Sequence, residues 1–540
     1  MDRRLAEDAR ALAAGRLSRA QFIRRGLAAG VSVTVLGSVL AACGGESASG
    51  GGAATDVATG TAPTPAGKPP ATPTGTLVYG NAEPPTANYW DPAAGFGLVD
   101  EQVASLVHDT LLAHDADGNV HPQLAERTER IDDRTVRVTL RSGVRFQDGS
   151  ELTAADVAAT FDRLGAKDSR LAQSNTVSLL RCKVRSPTSL DIVTDKPFGP
   201  MEAALAYVKI LPKSDIDHPA NFRRRAMGAG PYRFVSYEGN TVTLAANDDY
   251  WGDKPHAAEI RFEYIEDLEA RTNALLTGDI QIMSRVGSEQ LGRVRGNDDY
   301  YTTRTSPPSQ FASLYQHNGV LRDTEIRQAI AHAVDREAIA RGILKGIFPI
   351  GQSSLPTTSP MYEALDTRFP YDPEKARALI RGRRVELRVA TATLFSHQVE
   401  IDQAIAQYLE AVGITVKLTK LEVGAFRTSY NQYDLSLNTL GSFTGDPDFI
   451  FGFYAGGTGE AVFHLDDPRI VELLDAQRQA VGDARPPKVT DMASYLWEQQ
   501  AALYLADEIW YFIVSSDVQN YQRAPLIGEP LAAKAWLAAA

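Results

Sequence analysis

The sequence predicts an α/β protein with room for several domains' worth of core. Three observations carry that expectation. Short runs with apolar residues two apart take turns along the chain with runs at helical spacing. One of those exchanges, between residues 385 and 418, has the strand–helix–strand order of a parallel pair with a right-handed crossover. The chain is also 540 residues long, 44% hydrophobic and 23% charged, and domains average roughly 150 residues. That composition excludes a disordered chain, a disulfide mini-protein and a polytopic membrane protein.

The chain begins with seven arginines among residues 1–25, against Asp2, Glu7 and Asp8, followed by an uncharged apolar run over residues 26–42. A basic start, a short apolar run and small residues before a cut are the parts of an export signal. Residues 1–42 are therefore expected to be removed. Leu40-Ala41-Ala42-Cys43, where the run ends, resembles the lipobox of bacterial lipoproteins and makes Cys43 the expected lipidated N-terminus. Ser18 to Arg24 resembles a twin-arginine export motif with Ala20 in place of the second arginine. With Cys43 acylated, the other cysteine, Cys182, has no disulfide partner. Of residues 44–75, 28 of 32 are Gly, Ala, Ser, Thr or Pro. Such a stretch buries too little to offset its ordering entropy, so residues 43–75 read as a lipidated cysteine and flexible linker.

Strand character begins at Thr76-Leu77-Val78-Tyr79-Gly80. Val136, Val138 and Leu140 share one face of a strand. Thr153, with Asp156 three residues on, caps a helix running to Leu164. Ile260, Phe262 and Tyr264 alternate ahead of a helix from Leu268 to Leu276. Thr324 opens a helix whose apolar face is Ile326, Ile330, Val334, Ile339 and Ile343. Asp372-Pro373-Glu374 is an N-cap, a first-turn proline and an acid that favours a helix start. Val385, Leu387 and Val389, a helix over residues 397–412, and Ile414, Val416 and Leu418 then complete the βαβ unit.

Chemistry-bearing motifs are scarce. The chain contains no phosphate-binding P-loop, H-E-x-x-H, G-x-S-x-G or C-x-x-C. Its nine histidines include no i, i+4 pair, so no metal and no cofactor are expected. The acid pairs, such as Asp248-Asp249, are adjacent, and adjacent side chains on a strand point to opposite faces. The formal charge is −12 with no basic run after residue 25, which excludes nucleic acid as a partner. The residues give no support to an enzyme.

Several segments carry a specific resemblance. They are Arg134 to Gly149 with Leu152 to Val157, Gly228 to Phe234, Asn247 to Pro255, Ile326 to Ile339 and Tyr371 to Leu379. In this order the chain resembles solute-binding protein family 5 of bacterial ATP-binding-cassette (ABC) importers, which includes dipeptide- and oligopeptide-binding lipoproteins. The resemblance implies a two-lobed α/β fold that closes on its ligand, with a subdomain inserted in lobe I. Lobe I takes residues 76–110, 226–315 and 505–540, the insert 111–225 and lobe II 316–504, with hinge crossings near residues 313–318 and 497–505. The implied function is capture of a peptide or similar-sized solute and its delivery to a membrane permease powered by an ATPase. The implied protein is a monomer held by its lipid to the outer face of the cytoplasmic membrane or in the periplasm. A receptor presenting ligand to a signalling partner and a secreted hydrolase are the alternatives.

The resemblance also implies where ligand contacts lie, in loops at strand ends. Asn81, Glu83, Tyr89 and Trp90 belong to the first cleft loop, Gln316 and Asn318 to a crossing, and Phe443, Asp446 and Asp448 to the lobe II loop. Peptide binders carry an amine-pairing aspartate where matching Asp446-Pro447-Asp448 places Phe443. They also carry a carboxylate-clamping arginine for which residues 391–398 offer no counterpart. With aromatic walls from Tyr89, Trp90 and Phe443, the expected ligand is neutral or apolar-faced and does not depend on two peptide termini.

Overall fold

The computed structural model describes residues 67–538, apart from 86–89, 94–97, 167–168, 170–175, 366–368, 395–396, 456–462, 524 and 527–530. The chain separates into units of residues 1–54 and 55–540, and every described residue belongs to the second. Cys43 lies outside the described residues. Among the described residues no helix is long and apolar enough to cross a membrane.

Three sheets organise the structure. The first has seven strands in the order Tyr300–Thr305, Trp510–Ser515, Ile282–Ser284, Thr76–Asn81, Glu259–Tyr264, Thr241–Ala246, Tyr232–Glu238. Its central strand, Thr76–Asn81, runs parallel to both neighbours. The second has five, ordered Ile414–Lys420, Val385–Thr391, Leu435–Gly441, Ser309–Tyr315, Ala502–Asp507. The expected βαβ unit is there: Val385–Thr391 pairs in parallel with Ile414–Lys420, and the helix Gln398–Ala411 connects them. The third is an antiparallel four-stranded sheet, Ala125–Asp132, Thr135–Leu140, Ser189–Val193 and Arg181–Ser186, carrying its own apolar core.

Local signals hold well. Val136, Val138 and Leu140 are buried on alternate positions of Thr135–Leu140. The capping box of Thr153 and Asp156 starts the helix Ala154–Leu164. Asp372 accepts from the Lys375 amide at the head of Pro373–Ile380. The long helix expected from Thr324 is instead two, Thr324–Ala333 and Arg336–Gly342. Val334 turns extended and the Asp335 carboxylate accepts from the Ala338 amide, so a second N-cap wins over continuing the first helix.

Where the chain passes between the first two sheets also differs from expectation. Ser309–Tyr315 pairs along its whole length with Leu435–Gly441, and Ala502–Asp507 pairs with it on the other side. Both strands therefore belong to the second sheet, and the boundaries at 315/316 and 504/505 move. The crossings are residues 306–308, which contain Pro307 and Pro308, and residues 508–509. Two successive prolines supply no N–H donors, so the ladder stops there. The Glu508 amide donates to the Ser309 carbonyl at 2.8 Å and ties the two crossings together.

Candidate functional site

The parallel strands Thr76–Asn81 and Ile282–Ser284 end at one edge of the first sheet, as do Val385–Thr391 and Leu435–Gly441 in the second. In open α/β sheets the carboxyl ends of parallel strands are where ligands bind. Here residues that follow those ends line a shared cleft. It consists of two cavities of about 180 and 220 Å³ that share Arg285, Leu394, Glu508 and Trp510 in their walls.

Charge from both sheets meets in this cleft. Arg285 follows Ile282–Ser284 with φ +52°, a conformation uncommon outside glycine. Its guanidinium lies 4.5 Å from the centre of the Trp510 ring. Nη1 donates to Glu83 Oε1 at 2.7 Å, while Nη2 is 4.0 Å from Glu508 Oε1. The other oxygen of Glu83 accepts from Nη2 of Arg427 at 2.7 Å. Arg427 comes from Val423–Ser429, a helix that follows a strand of the second sheet. Glu83 thus spans the two halves of the cleft. Glu508 accepts from the Ser309 hydroxyl at 2.8 Å. Arg271, also in the wall, gives Nη1 to the Ile265 and Glu266 carbonyls, and burial pulls its pKa down to about 10. Phe311 and Phe348, edge to face at 5.5 Å, line one cavity, and Phe443 and Phe453 the other.

Of the residues singled out in the sequence, Glu83 and Phe443 lie in this cleft. Tyr89 falls outside the described residues. The others have different work. Asn81 is buried between strand and helix, accepting from Ser284 Oγ at 2.8 Å and donating to Gln102 at 3.1 Å. Trp90 is 7% exposed and packs on Phe234 and Tyr237 in the first sheet's core, so it is not a cleft wall. Gln316 and Asn318 follow Ser309–Tyr315 at the end opposite the crossing, where Gln316 Oε1 meets His464 Nδ1 at 2.8 Å. Asn318 opens the turn Gly319–Arg322.

Asp446 and Asp448 are engaged in ion pairs. Asp446 takes a two-pronged bond from Arg485 at 2.6 and 2.5 Å. Asp448 accepts from Arg478, Gln477 and Thr176. Burial works to raise its pKa, yet Arg478 holds the carboxyl below its usual range. Thr176 belongs to the inserted segment, and so does Gly199, whose amide donates to the Arg478 carbonyl at 2.7 Å. A Cβ on Gly199 would collide with Ala480 O and the Arg485 side chain, so glycine permits this close approach. Phe443 continues the seam, 6.1 Å from the Tyr207 ring and 5.6 Å from Phe449.

Sequence reasoning missed Arg285, Arg427, Glu508 and Trp510. The rule that contacts follow strand ends was available for Arg285, but the strand before it has only three residues and no clear alternation. The resulting cleft carries arginines as well as the acids and aromatic residues expected there.

Two bodies joined by two adjacent crossings, with polar and aromatic groups facing each other across a cleft, define a two-lobed binding protein. The comparisons agree. Residues 119–461 match the family described as bacterial extracellular solute-binding proteins, family 5 Middle. Protein XP55 of Streptomyces lividans is 30% identical over 476 residues, covering 82% of this chain and 83% of that protein. The oligopeptide-binding protein AppA of Bacillus subtilis is 24% identical, over 66% of this chain and 71% of that one. The crystal structure of a dipeptide-binding protein from Pseudoalteromonas sp. SM9913 in complex with Met-Leu superposes with a TM-score of 0.78 at 20% identity. It covers 86% of this chain and 100% of that one. The chain belongs to family 5 of the bacterial extracellular solute-binding proteins.

Proposed function

We propose that this chain is an exported lipoprotein, anchored through Cys43, that closes on a solute the size of a short peptide and hands it to the permease of an ABC importer. The observation that carries the reading is the cleft itself, built from strand ends of two sheets that are joined at residues 306–308 and 508–509. A solute touching both walls makes contacts that exist together only when the lobes approach, which shifts the population toward the closed form. The insert at residues 111–225 forms part of lobe I and meets lobe II along the Gly199–Arg478 seam. Membership of this family and the likeness to the oligopeptide-binding protein AppA support a peptide-like ligand and a permease partner.

Two measurements test this. Native mass spectrometry of protein purified without refolding should show a bound solute. Returning that solute to stripped protein should lower the radius of gyration in small-angle scattering, and unchanged scattering at saturation would argue against a trap. Separately, Cys43→Ala is expected to release the protein from membranes, since a multiply acylated cysteine is a stable anchor and the unmodified chain is not. A Cys43→Ala protein that stays membrane-bound after carbonate washing would show that residues 26–42 are the anchor instead.

A further inference from the structure

The Glu83–Arg285–Arg427 cluster says what kind of solute the cleft is built for. Of the five N–H groups of a guanidinium, Arg285 commits one, from Nη1 to Glu83. Its Nε is buried without a hydrogen-bond partner among the described residues. Arg285 is held over Trp510 by a left-handed backbone, a conformation that persists only where the surroundings enforce it. Arg427 reaches in from the opposite lobe and finds the same carboxylate. The nearby acids have partners of their own: Glu508 accepts from Ser309 Oγ at 2.8 Å, and Glu266 from the Tyr264 hydroxyl at 2.9 Å. Arg285 thus keeps N–H donors beyond the one given to Glu83. The position between the arginines already fits a carboxylate, with 2.7 Å contacts on either side.

We propose that Glu83 occupies, in the unliganded protein, the place that a carboxylate of the solute takes on binding, so that the cleft selects a carboxylate-bearing solute with an apolar body lying along Trp510 and Phe443. This rests on the solute-receptor reading and gives it a substrate class. Glu83 acts as a built-in competitor. Its bond to Arg427 involves a side chain that is 44% exposed, and solvent-exposed pairs of this kind are weak. That biases the lobes toward each other without locking them. An incoming carboxylate exchanges with Glu83 on the outer nitrogens of the two arginines.

The test uses N-acetyl-L-tryptophan and its uncharged amide, which share an apolar body and differ in the carboxylate. Affinities are measured by calorimetry on the full chain, as wild type, Glu83→Gln, Arg427→Gln and Arg285→Lys, each checked for an unchanged melting profile. Wild type is expected to bind the acid about tenfold or more tightly than the amide, an ordinary yield for a charge-assisted bond. Glu83→Gln should tighten the acid by a further factor of about five and leave the amide unchanged. Arg427→Gln, at an exposed position, should cut the acid preference several-fold, and Arg285→Lys should retain part of it. Equal affinities for acid and amide, no gain in Glu83→Gln, or no binding of the acid at millimolar concentration would each overturn the inference. Such failures leave the receptor reading intact if a native solute still co-purifies and compacts the protein. Absence of both would sink that reading too.

Discussion

Replacing Asp448 with alanine is expected to destabilise the protein by about 3–5 kcal/mol, the usual cost of removing one partner from a buried ion pair. The carboxylate is fully buried and accepts from Arg478 Nε at 2.6 Å, Gln477 and Thr176. Without it Arg478, itself largely buried, loses that carboxylate as its counter-charge. Asp446 is taken up by Arg485 and cannot take over without breaking its own pair. The measurement is the urea midpoint of Asp448→Ala against wild type. A variant as stable as wild type but defective in solute binding would return Asp448 to the ligand-contacting role its loop position first implied. Because Thr176 comes from the insert, the same variant should also loosen the insert against lobe II, visible as faster amide exchange near residue 176.

The second large effect is a pH dependence centred on Asp402. This residue lies on Gln398–Ala411, fully buried, with neither carboxyl oxygen hydrogen-bonded among the described residues. Burial pushes its pKa from 3.8 up to about 8. The Thr391 hydroxyl pulls it down in part, without meeting hydrogen-bond geometry. The sign follows from which state holds the proton. Between pH 4 and 8 the folded protein keeps Asp402 neutral while the unfolded chain ionises it. Proton release then favours unfolding, by roughly a factor of ten in the equilibrium per pH unit. Stability from this group is complete below pH 4, falls as the pH rises, and levels off above 8. Asp402→Asn has nearly the same shape and no proton to lose. Its stability advantage over wild type should grow steadily from pH 4 to 8 and then stay constant. Parallel stability curves for the two proteins would show that Asp402 is already ionised in the folded state.

What could be read in the sequence was what local rules control. Alternation set the burial of Thr135–Leu140, a Thr–Asp pair set the start of Ala154–Leu164, and an Asp-Pro pair set that of Pro373–Ile380. The βαβ unit followed because its three elements are consecutive and each has its own period. The cleft was legible only in part, since its charges arrive from positions 83, 285, 427 and 508 and nothing local marks them as neighbours. Trp90 shows the converse error. A tryptophan in a loop near a strand end looks like a wall, but Phe234 and Tyr237, more than a hundred residues on, enclose it. Asp446 and Asp448 misled for the same reason, their partners being supplied by Arg485 and Arg478 on later helices.

The pairing of the two crossings constrains how this molecule can move. Residues 306–308 and 508–509 lie side by side, fastened by the Glu508 amide on the Ser309 carbonyl. Two pins set close together behave like a door on a single post: they hold that one place fixed and leave one lobe to swing about it. Displacement is smallest at the post and grows away from it. Glu508 and Ser309 should therefore hold the same geometry in every state. The bond between Glu83 and Arg427, and the seam at Gly199, open and shut with the swing. A solute then enters by the side away from the post, and the swing that admits it has to part Glu83 from Arg427.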